Sequence, residues 1–254
     1  MKENQFLFCH LSIVPVRADK KDQSEIVTQL LFGEVAILLD QNKQWLKIRS
    51  SHDNYEGWID EKQVLKIAES EHGFWVKNNF RQKALIVHWK TPFGVVTSVR
   101  GSNVPNRSQF KVAGMNFESI DESGSLSAKD IVSVAKSYLN APYLWGGRTP
   151  FGIDCSGFTQ AVYRFFNINL PRDAYQQAEL GNKISFEDKK EGDIVFFEND
   201  KGKIHHVGIL IEENKVIHAN GRVRIDLLTE KGIFKKETNK VTHNFYSVRR
   251  LEIE

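Results

Sequence analysis

The chain has 254 residues, of which 41% are hydrophobic and 26% charged, and a formal charge of +3. These are the proportions of a globular protein with room for one large domain or two to three small ones. They argue against a nucleic-acid binder, since the charge is mild and no basic stripe is present; no apolar run reaches membrane-spanning length; and two cysteines, Cys9 and Cys155, are too few for a disulfide framework and form no zinc-type pair.

The first segment, "MKENQFLFCHLSIVPVR", has one basic residue and then an acid, with no apolar stretch of signal length and no small-residue cleavage site, which predicts a cytoplasmic protein. The first half then reads as strands. "HLSIVPVRAD", "SEIVTQLLFGEVAILLD", "WLKIRSS" and "YEGWIDEKQV" are short, rich in Val, Ile, Leu and Trp, and separated by turn residues, with a hairpin turn around Gln41, Asn42 and Lys43. "FWVKNNF", "KALIVHWK" and "TPFGVVTSVRG" continue in the same style, enough for two small β-barrels. "FESIDESGSLSAKD" is acidic and rich in Ser and Gly, which places a linker near residues 118–126.

The second half opens on a helix. Ser127 with Asp130 makes a capping-box-like start, and Ile131, Val132, Ala135, Tyr138 and Leu139 follow at helical spacing. "APYLWGGRTPFGI" is a loop punctuated by Gly and Pro. In "GIDCSGFTQAVYRFF", Phe158, Ala161, Val162, Phe165 and Phe166 fall on one face of an amphipathic helix. Asp154 or Ser156 can cap it. Cys155 therefore sits at a helix N-terminus, where the macrodipole and free N–H groups favour a thiolate. Strands return in "GDIVFF", "HHVGILI", "KVIHAN", "RVRIDLL" and "FYSVRRL", so the class is α+β.

A nucleophilic cysteine needs a general base, and the base an orienting partner. "HHVGILI-EEN-KVIHAN" reads as a hairpin with a three-residue loop at Glu212, Glu213 and Asn214. Ile211 then opposes Lys215 and Gly208 opposes His218, which makes His206 a diagonal neighbour of His218 on the same face, whereas a two-residue loop would put them on opposite faces. His205 points the other way. His205 and His243 read as ordinary core or surface residues. A metal site of Cys155, His206 and His218 is the alternative use of these side chains, but no short ligand spacing supports it, and no metal or cofactor is expected.

"YLWGG", "DCSGF", "LPRDA", "EGDIVFF", "HHVGILI" and "VIHAN", in that order, closely resemble the NlpC-type peptidases, bacterial papain-like cysteine peptidases that cut cell-wall peptides. The resemblance covers residues 127–254. It implies a papain-like fold with Cys155 as nucleophile, His206 as base and His218 as orienter; Tyr143 matches a tyrosine that helps bind the oxyanion, and Asp154 and Ser156 match residues lining the substrate pocket. Arg172, in "LPRDA", is either a substrate contact or half of a structural ion pair. Many relatives carry Ser where this chain has Ala174.

The first half resembles bacterial SH3-like domains, on "SEIVTQLLFGE" and "YEGWID". The expected organisation is an SH3-like barrel at 1–66, a second, divergent one at 67–122 and the peptidase domain at 127–254. This arrangement is similar to the cytoplasmic peptidases of murein recycling, which cut the bond between γ-D-glutamate and an L-diamino acid and require a free N-terminal L-alanine. In that subfamily a Glu and a Tyr of the first barrel hold the amine, and Glu25 and Tyr55 match them. The expected partners are thus murein peptides, with no nucleic acid and no membrane. The alternative is a secreted hydrolase of intact peptidoglycan that uses its barrels to bind the wall.

Overall fold

A computed structural model gives the fold and describes residues 5–78, 80–105, 107–121 and 129–252. The chain divides into two units, Met1–Ser127 and Ala128–Glu254. Residues 122–126 of the expected linker, and the expected cap Ser127, lie outside the described residues.

In the first unit, β1 (Gln5–Cys9), β2 (Ile13–Arg17), β3 (Ile26–Leu31), β4 (Val35–Asn42), β5 (Trp45–Ser50), β6 (Glu56–Asp60) and β7 (Val64–Ile67) form one antiparallel sheet in the order β3-β2-β6-β5-β4-β1-β7. The alternation read from the sequence is visible on β2, where Val14 and Val16 point inward between half-buried neighbours. Every strand places a residue in one core, from Leu7 on β1 to Val64 on β7, so the sheet wraps around it.

The rest of this unit departs from the expected second barrel. It consists of α1 (Glu69–Lys77) and a four-stranded sheet of β8 (Ile86–Thr91), β9 (Gly94–Val99), β10 (Gln109–Val112) and β11 (Met115–Ser119), in the order β10-β11-β8-β9. Its core is not its own. Trp75, Trp89, Val112 and Phe117 pack with Phe8 and Val35 from the first sheet and Phe32 from the turn between β3 and β4. "FWVKNNF" is not a strand, since its first four residues end α1. A run of three apolar residues has no period to decide its conformation. The helix is set by Glu71, whose carboxylate accepts from the N–H of Ala68 at 3.0 Å and of Ala113 at 2.7 Å, and only Trp75 of the run is buried among its apolar residues.

The second unit begins with α2 (Ile131–Lys136). Asp130 is its cap: its carboxylate accepts from the N–H of Ser133 at 2.7 Å, and the Ser133 hydroxyl accepts in return from the N–H of Asp130. A small hairpin, β12 (Arg148–Thr149) and β13 (Gly152–Ile153), leads into α3 (Cys155–Tyr163), and α4 (Ala174–Gln177) follows. The remainder is β14 (Asn182–Ile184), β15 (Ile194–Glu198), β16 (Ile204–Glu212), β17 (Lys215–Asn220), β18 (Arg222–Thr229), β19 (Gly232–Lys235) and β20 (Lys240–Arg250), in the order β14-β20-β15-β16-β17-β18-β19. Because β20 also pairs with β19, the strands from β15 to β20 close on themselves, and β14 adds to β20 from outside. Val195, Leu210, Val216, Leu228, Ile233 and Val248, one from each strand of the closed set, form a common core.

All nine positions of α3 are buried, so it is not the amphipathic helix its apolar spacing suggests. Its polar residues are paired instead of exposed. Thr159 donates to Gln177 Oε1 at 2.6 Å, and the Gln160 amide donates to the Leu170 carbonyl at 2.8 Å. Phe165 and Phe166 fall in a 3-10 turn after the helix and are only half-buried.

Candidate active site

The start of α3 is fixed by its cap. Asp154 accepts from the N–H of Gly157 at 2.7 Å, while its own N–H donates to the Gly147 carbonyl at 3.2 Å. The two glycines of "WGG" and "CSG" follow from this closeness. A Cβ on Gly157 would lie 2.3 Å from the Gly147 oxygen, so the loop can rest on the first helical turn only without one.

Cys155 follows the cap and is 6% exposed. The N–H groups of Ser156 and Val207 donate to its sulfur, which sets the sulfur against the strand that carries His206. The expectation of a ready thiolate is corrected here. Burial pushes the Cys155 thiol up to about 12, the Asp154 carboxylate pushes the same way, and Arg172 and the two N–H groups offset only part of this. The helix terminus is real, but its capping carboxylate opposes its effect on the sulfur. The resting site holds a thiol that needs a base.

The neighbouring strands bring up the imidazoles that are candidates for it. Gly208 pairs with His218, as the sequence predicts, but through a different turn. Glu212 pairs with Lys215 across a two-residue connection, and a bulge at Ile211 takes up the extra residue and restores the register. His206 Nε2 lies 2.8 Å from His218 Nδ1. Gly208 makes this contact possible, since a Cβ there would fall 3.0 Å from that of His218 and 2.6 Å from a Val216 methyl. His206 and His218 are 5% and 1% exposed. Burial holds His206 well below the usual imidazole range, and the facing rings of His218, His243 and His205 act in the same direction. Burial also lowers His218, against a carboxylate at Asp226 that raises it. Both rings are neutral near pH 7. Their facing nitrogens are occupied by each other, which leaves neither of those atoms for a shared metal; among the described residues no group of three or more His, Cys, Asp or Glu could hold one.

Two residues of this cluster were not found in the sequence. His218 Nε2 lies 3.0 Å from Asp226 Oδ2. His243 is not an ordinary surface residue either, because its ring centroid is 4.2 Å from that of His206. His205 is exposed, but it does not stand apart from the cluster as expected: its ring centroid lies 6.3 Å from that of His206, and it stacks on His243 at 5.5 Å.

The other expected site residues divide into two groups. Asp154, Ser156 and Arg172 form one buried network. Arg172 donates to both oxygens of Asp154, at 3.0 Å to Oδ1, and to the Ser156 hydroxyl at 2.8 Å; the second oxygen of Asp154 also accepts from the N–H of Gly146 at 2.9 Å. Of the two uses open to Arg172, the ion pair is the one visible. Tyr143 lies beside this network and is 36% exposed. Burial, then the charges of Cys155 and Asp154, push its phenol up to about 12, so it stays a hydrogen-bond donor. Glu25 and Tyr55 belong to the first unit: Glu25 is exposed just before β3, and Tyr55 is half-buried just before β6. No helix among the described residues is long and apolar enough to cross a membrane.

Comparison with known proteins places these features. The model of the NlpC/P60 family matches residues 140–243, and that of the bacterial dipeptidyl-peptidase SH3 domain matches residues 16–64, within the first sheet. A γ-D-glutamyl-L-lysine dipeptidyl-peptidase of Bacillus subtilis is 30% identical over 249 residues, covering 87% of this chain and 81% of that protein. A protein of the same name from Bacillus cereus is 27% identical over 225 residues, covering 77% and 68%. The crystal structure of an NlpC/P60 family protein from Bacillus cereus matches 96% of this chain and 99% of its own with a TM-score of 0.77 at 19% identity, a likeness of fold.

Proposed function

This chain belongs to the NlpC/P60 family of peptidases, and from that premise we propose that it hydrolyses the bond between γ-D-glutamate and an L-diamino acid in wall peptides with a free N-terminal L-alanine. The likeness to dipeptidyl-peptidases over most of both chains, SH3 domain included, carries this reading. The recycling of peptides already released from the wall, in the cytoplasm, goes with it.

The chemistry follows from the placement of the groups. With Nε2 of His206 turned to His218, Nδ1 is the nitrogen left to take the Cys155 proton. The sulfur then attacks the γ-carbonyl carbon. The N–H of Cys155 and the Tyr143 hydroxyl hold the oxyanion. The imidazolium of His206 returns its proton to the departing amine of the diamino acid, leaving an L-Ala-γ-D-Glu thioester on Cys155. Water, deprotonated by His206, releases the dipeptide. Asp154, Ser156 and Arg172 shape the pocket as a buried unit, and the first unit's resemblance gives Glu25 and Tyr55 the holding of the ammonium.

Mass spectrometry of products from L-Ala-γ-D-Glu-L-Lys tests the reading. The expected products are L-Ala-γ-D-Glu and free lysine, with N-acetylation of the alanine nearly stopping cleavage. Tyr55→Phe and Glu25→Gln should raise KM for the free peptide. Efficient cleavage of the acetylated peptide or of intact peptidoglycan would replace this reading with that of a wall hydrolase.

A further inference from the structure

The catalytic row does not end at His218. The register of three consecutive strands continues it. His206 is displaced by two residues from Gly208, which pairs with His218; His218 in turn pairs with Arg224, and Asp226 is displaced from Arg224 by two. The same diagonal step, repeated on β16, β17 and β18, brings His206, His218 and Asp226 into line on one face. The distances are 2.8 Å from His206 Nε2 to His218 Nδ1 and 3.0 Å from His218 Nε2 to Asp226 Oδ2. The Asp226 side chain is 8% exposed.

A carboxylate at the end of such a row fixes every proton in it. Ionised Asp226 has only acceptor sites, so the hydrogen between it and His218 must be on His218 Nε2. Neutral His218 then presents a bare Nδ1, which can only accept. The hydrogen of the next bond must be on His206 Nε2, and the lone pair of His206 is thereby placed on Nδ1, the nitrogen not facing His218. Asp226 itself is kept ionised. Burial pushes its carboxyl up, but the hydrogen bonds from His218 and Arg224 outweigh burial and hold it below the usual carboxylate range. Arg224 is positioned for this by a second anion: its guanidinium donates to Asp226 Oδ1 at 2.7 Å and to Glu237 Oε1 at 2.6 Å.

We propose that Asp226 is a positioning residue of the active site, which selects the His206 tautomer through His218 and stabilises the imidazolium formed when His206 accepts the Cys155 proton. It touches neither substrate nor sulfur. The charged and titratable groups facing the row are His243 and His205 beside His206, and Arg224 and Glu237 beside Asp226. Cys155, with Asp154 and Arg172 near its sulfur, completes the set. This inference rests on the reading of Cys155 and His206 as nucleophile and base.

Asp226→Asn tests it, because the amide keeps the shape of the side chain and can donate to His218 Nε2. That reverses both tautomers and leaves a hydrogen on the nitrogen of His206 that should be bare. We expect kcat on the tripeptide to fall by roughly 10² to 10⁴, with KM unchanged, as when the aspartate of a triad is amidated. The pH profile of Cys155 alkylation by iodoacetamide should drop to lower rates around neutral pH, since the imidazolium formed as His206 takes the thiol proton loses its stabilising charge. Asp226→Glu should recover part of both. A kcat within about twofold of the parent, a loss confined to KM, or an unmoved alkylation profile overturns the proposal. The unsubstituted chain provides a measurement independent of folding of the variant. Long-range ¹H–¹⁵N spectra of the histidine-labelled protein should show His206 and His218 both protonated on Nε2, and a His218 protonated on Nδ1 overturns it equally. Alkylation and spectra need no substrate. Inertness toward the tripeptide with the expected tautomers and alkylation profile would therefore refute the substrate reading and leave this one standing.

Discussion

Cys9 lies on β1 in the core of the first unit, and Cys155 opens α3 in the second; they are 0% and 6% exposed, and burial raises the pKa of both. Accessibility therefore does not tell them apart. The groups set around each sulfur do. The Cys9 thiol donates to the Leu11 carbonyl at 3.3 Å and reaches the Leu30 carbonyl at 3.7 Å, and after burial the Glu34 carboxylate is what pushes its pKa furthest up, with the Leu11 backbone offsetting only part. Those surroundings suit S–H. Around Cys155 the Asp154 carboxylate acts as Glu34 does at Cys9, but Arg172 and two backbone hydrogen bonds oppose it and favour a negative charge there. Those surroundings suit a sulfur that will carry charge in passing, once a base removes its proton. A buried thiol becomes a nucleophile through donors and a base, and a helix end alone is not enough.

Substitution of each cysteine by alanine gives the largest separation this comparison allows. Cys155→Ala should lower turnover of the tripeptide by roughly 10⁶ and leave the melting temperature close to that of the parent. Cys9→Ala should leave turnover within about twofold but cost on the order of 1 kcal/mol of stability, from the lost packing of a buried sulfur. Activity assays paired with thermal melts check both, and a turnover loss in Cys9→Ala without unfolding would break the distinction. The next contrast lies within the site. His206→Ala should approach the loss seen for Cys155→Ala, and His218→Ala should fall short of it by roughly 10- to 100-fold, because an orienting group is partly replaceable. Equal losses, or the reverse order, would exchange the assigned roles.

How much of this could be read from the sequence depends on how local each feature is. The cap at Asp154 and the neighbours of Cys155 follow from adjacent residues. The His206–His218 contact needed one hairpin register, and it was legible although the turn was not, because the bulge at Ile211 compensated for the shorter connection. Asp226 needed a second register, set by the tight turn at Gly221, whose φ is 71°, so that Asn220 pairs with Arg222. In "RVRIDLL" it reads as one polar residue on a half-exposed strand. His243 was out of reach altogether, since β20 meets β15 across 46 to 55 residues of sequence and through a register shift. In the first unit the strands of the first sheet were legible by their alternation. The second sheet was taken for a barrel because its strands look alike in isolation, whereas its aromatic core is completed by Phe8 and Val35 from distant strands and Phe32 from the turn between β3 and β4.

The smallest expected effect concerns His243 and separates the second unit's imidazoles from ordinary surface ones. Burial, followed by the facing His218 and His205, lowers its pKa to about 4, with Asp226 acting weakly the other way. An unfolded histidine titrates near 6.5. A group whose pKa is lowered by folding contributes its full stability above the unfolded value. That contribution is lost as pH falls toward the folded value, because protons bind the unfolded chain first. The loss attributable to His243 thus falls between about pH 6.5 and pH 4, and the lowered values of His206 and His218 add to it in the same direction. His243→Gln keeps a polar, hydrogen-bonding side chain and cannot protonate. Its melting temperature should decline less steeply than that of the parent between pH 7 and pH 4.5. Because part of the ring is open to solvent, the difference should be on the order of 2 °C. Parallel declines in the two proteins would mean that the ring beside His206 is as free to take up a proton in the folded chain as in the unfolded one.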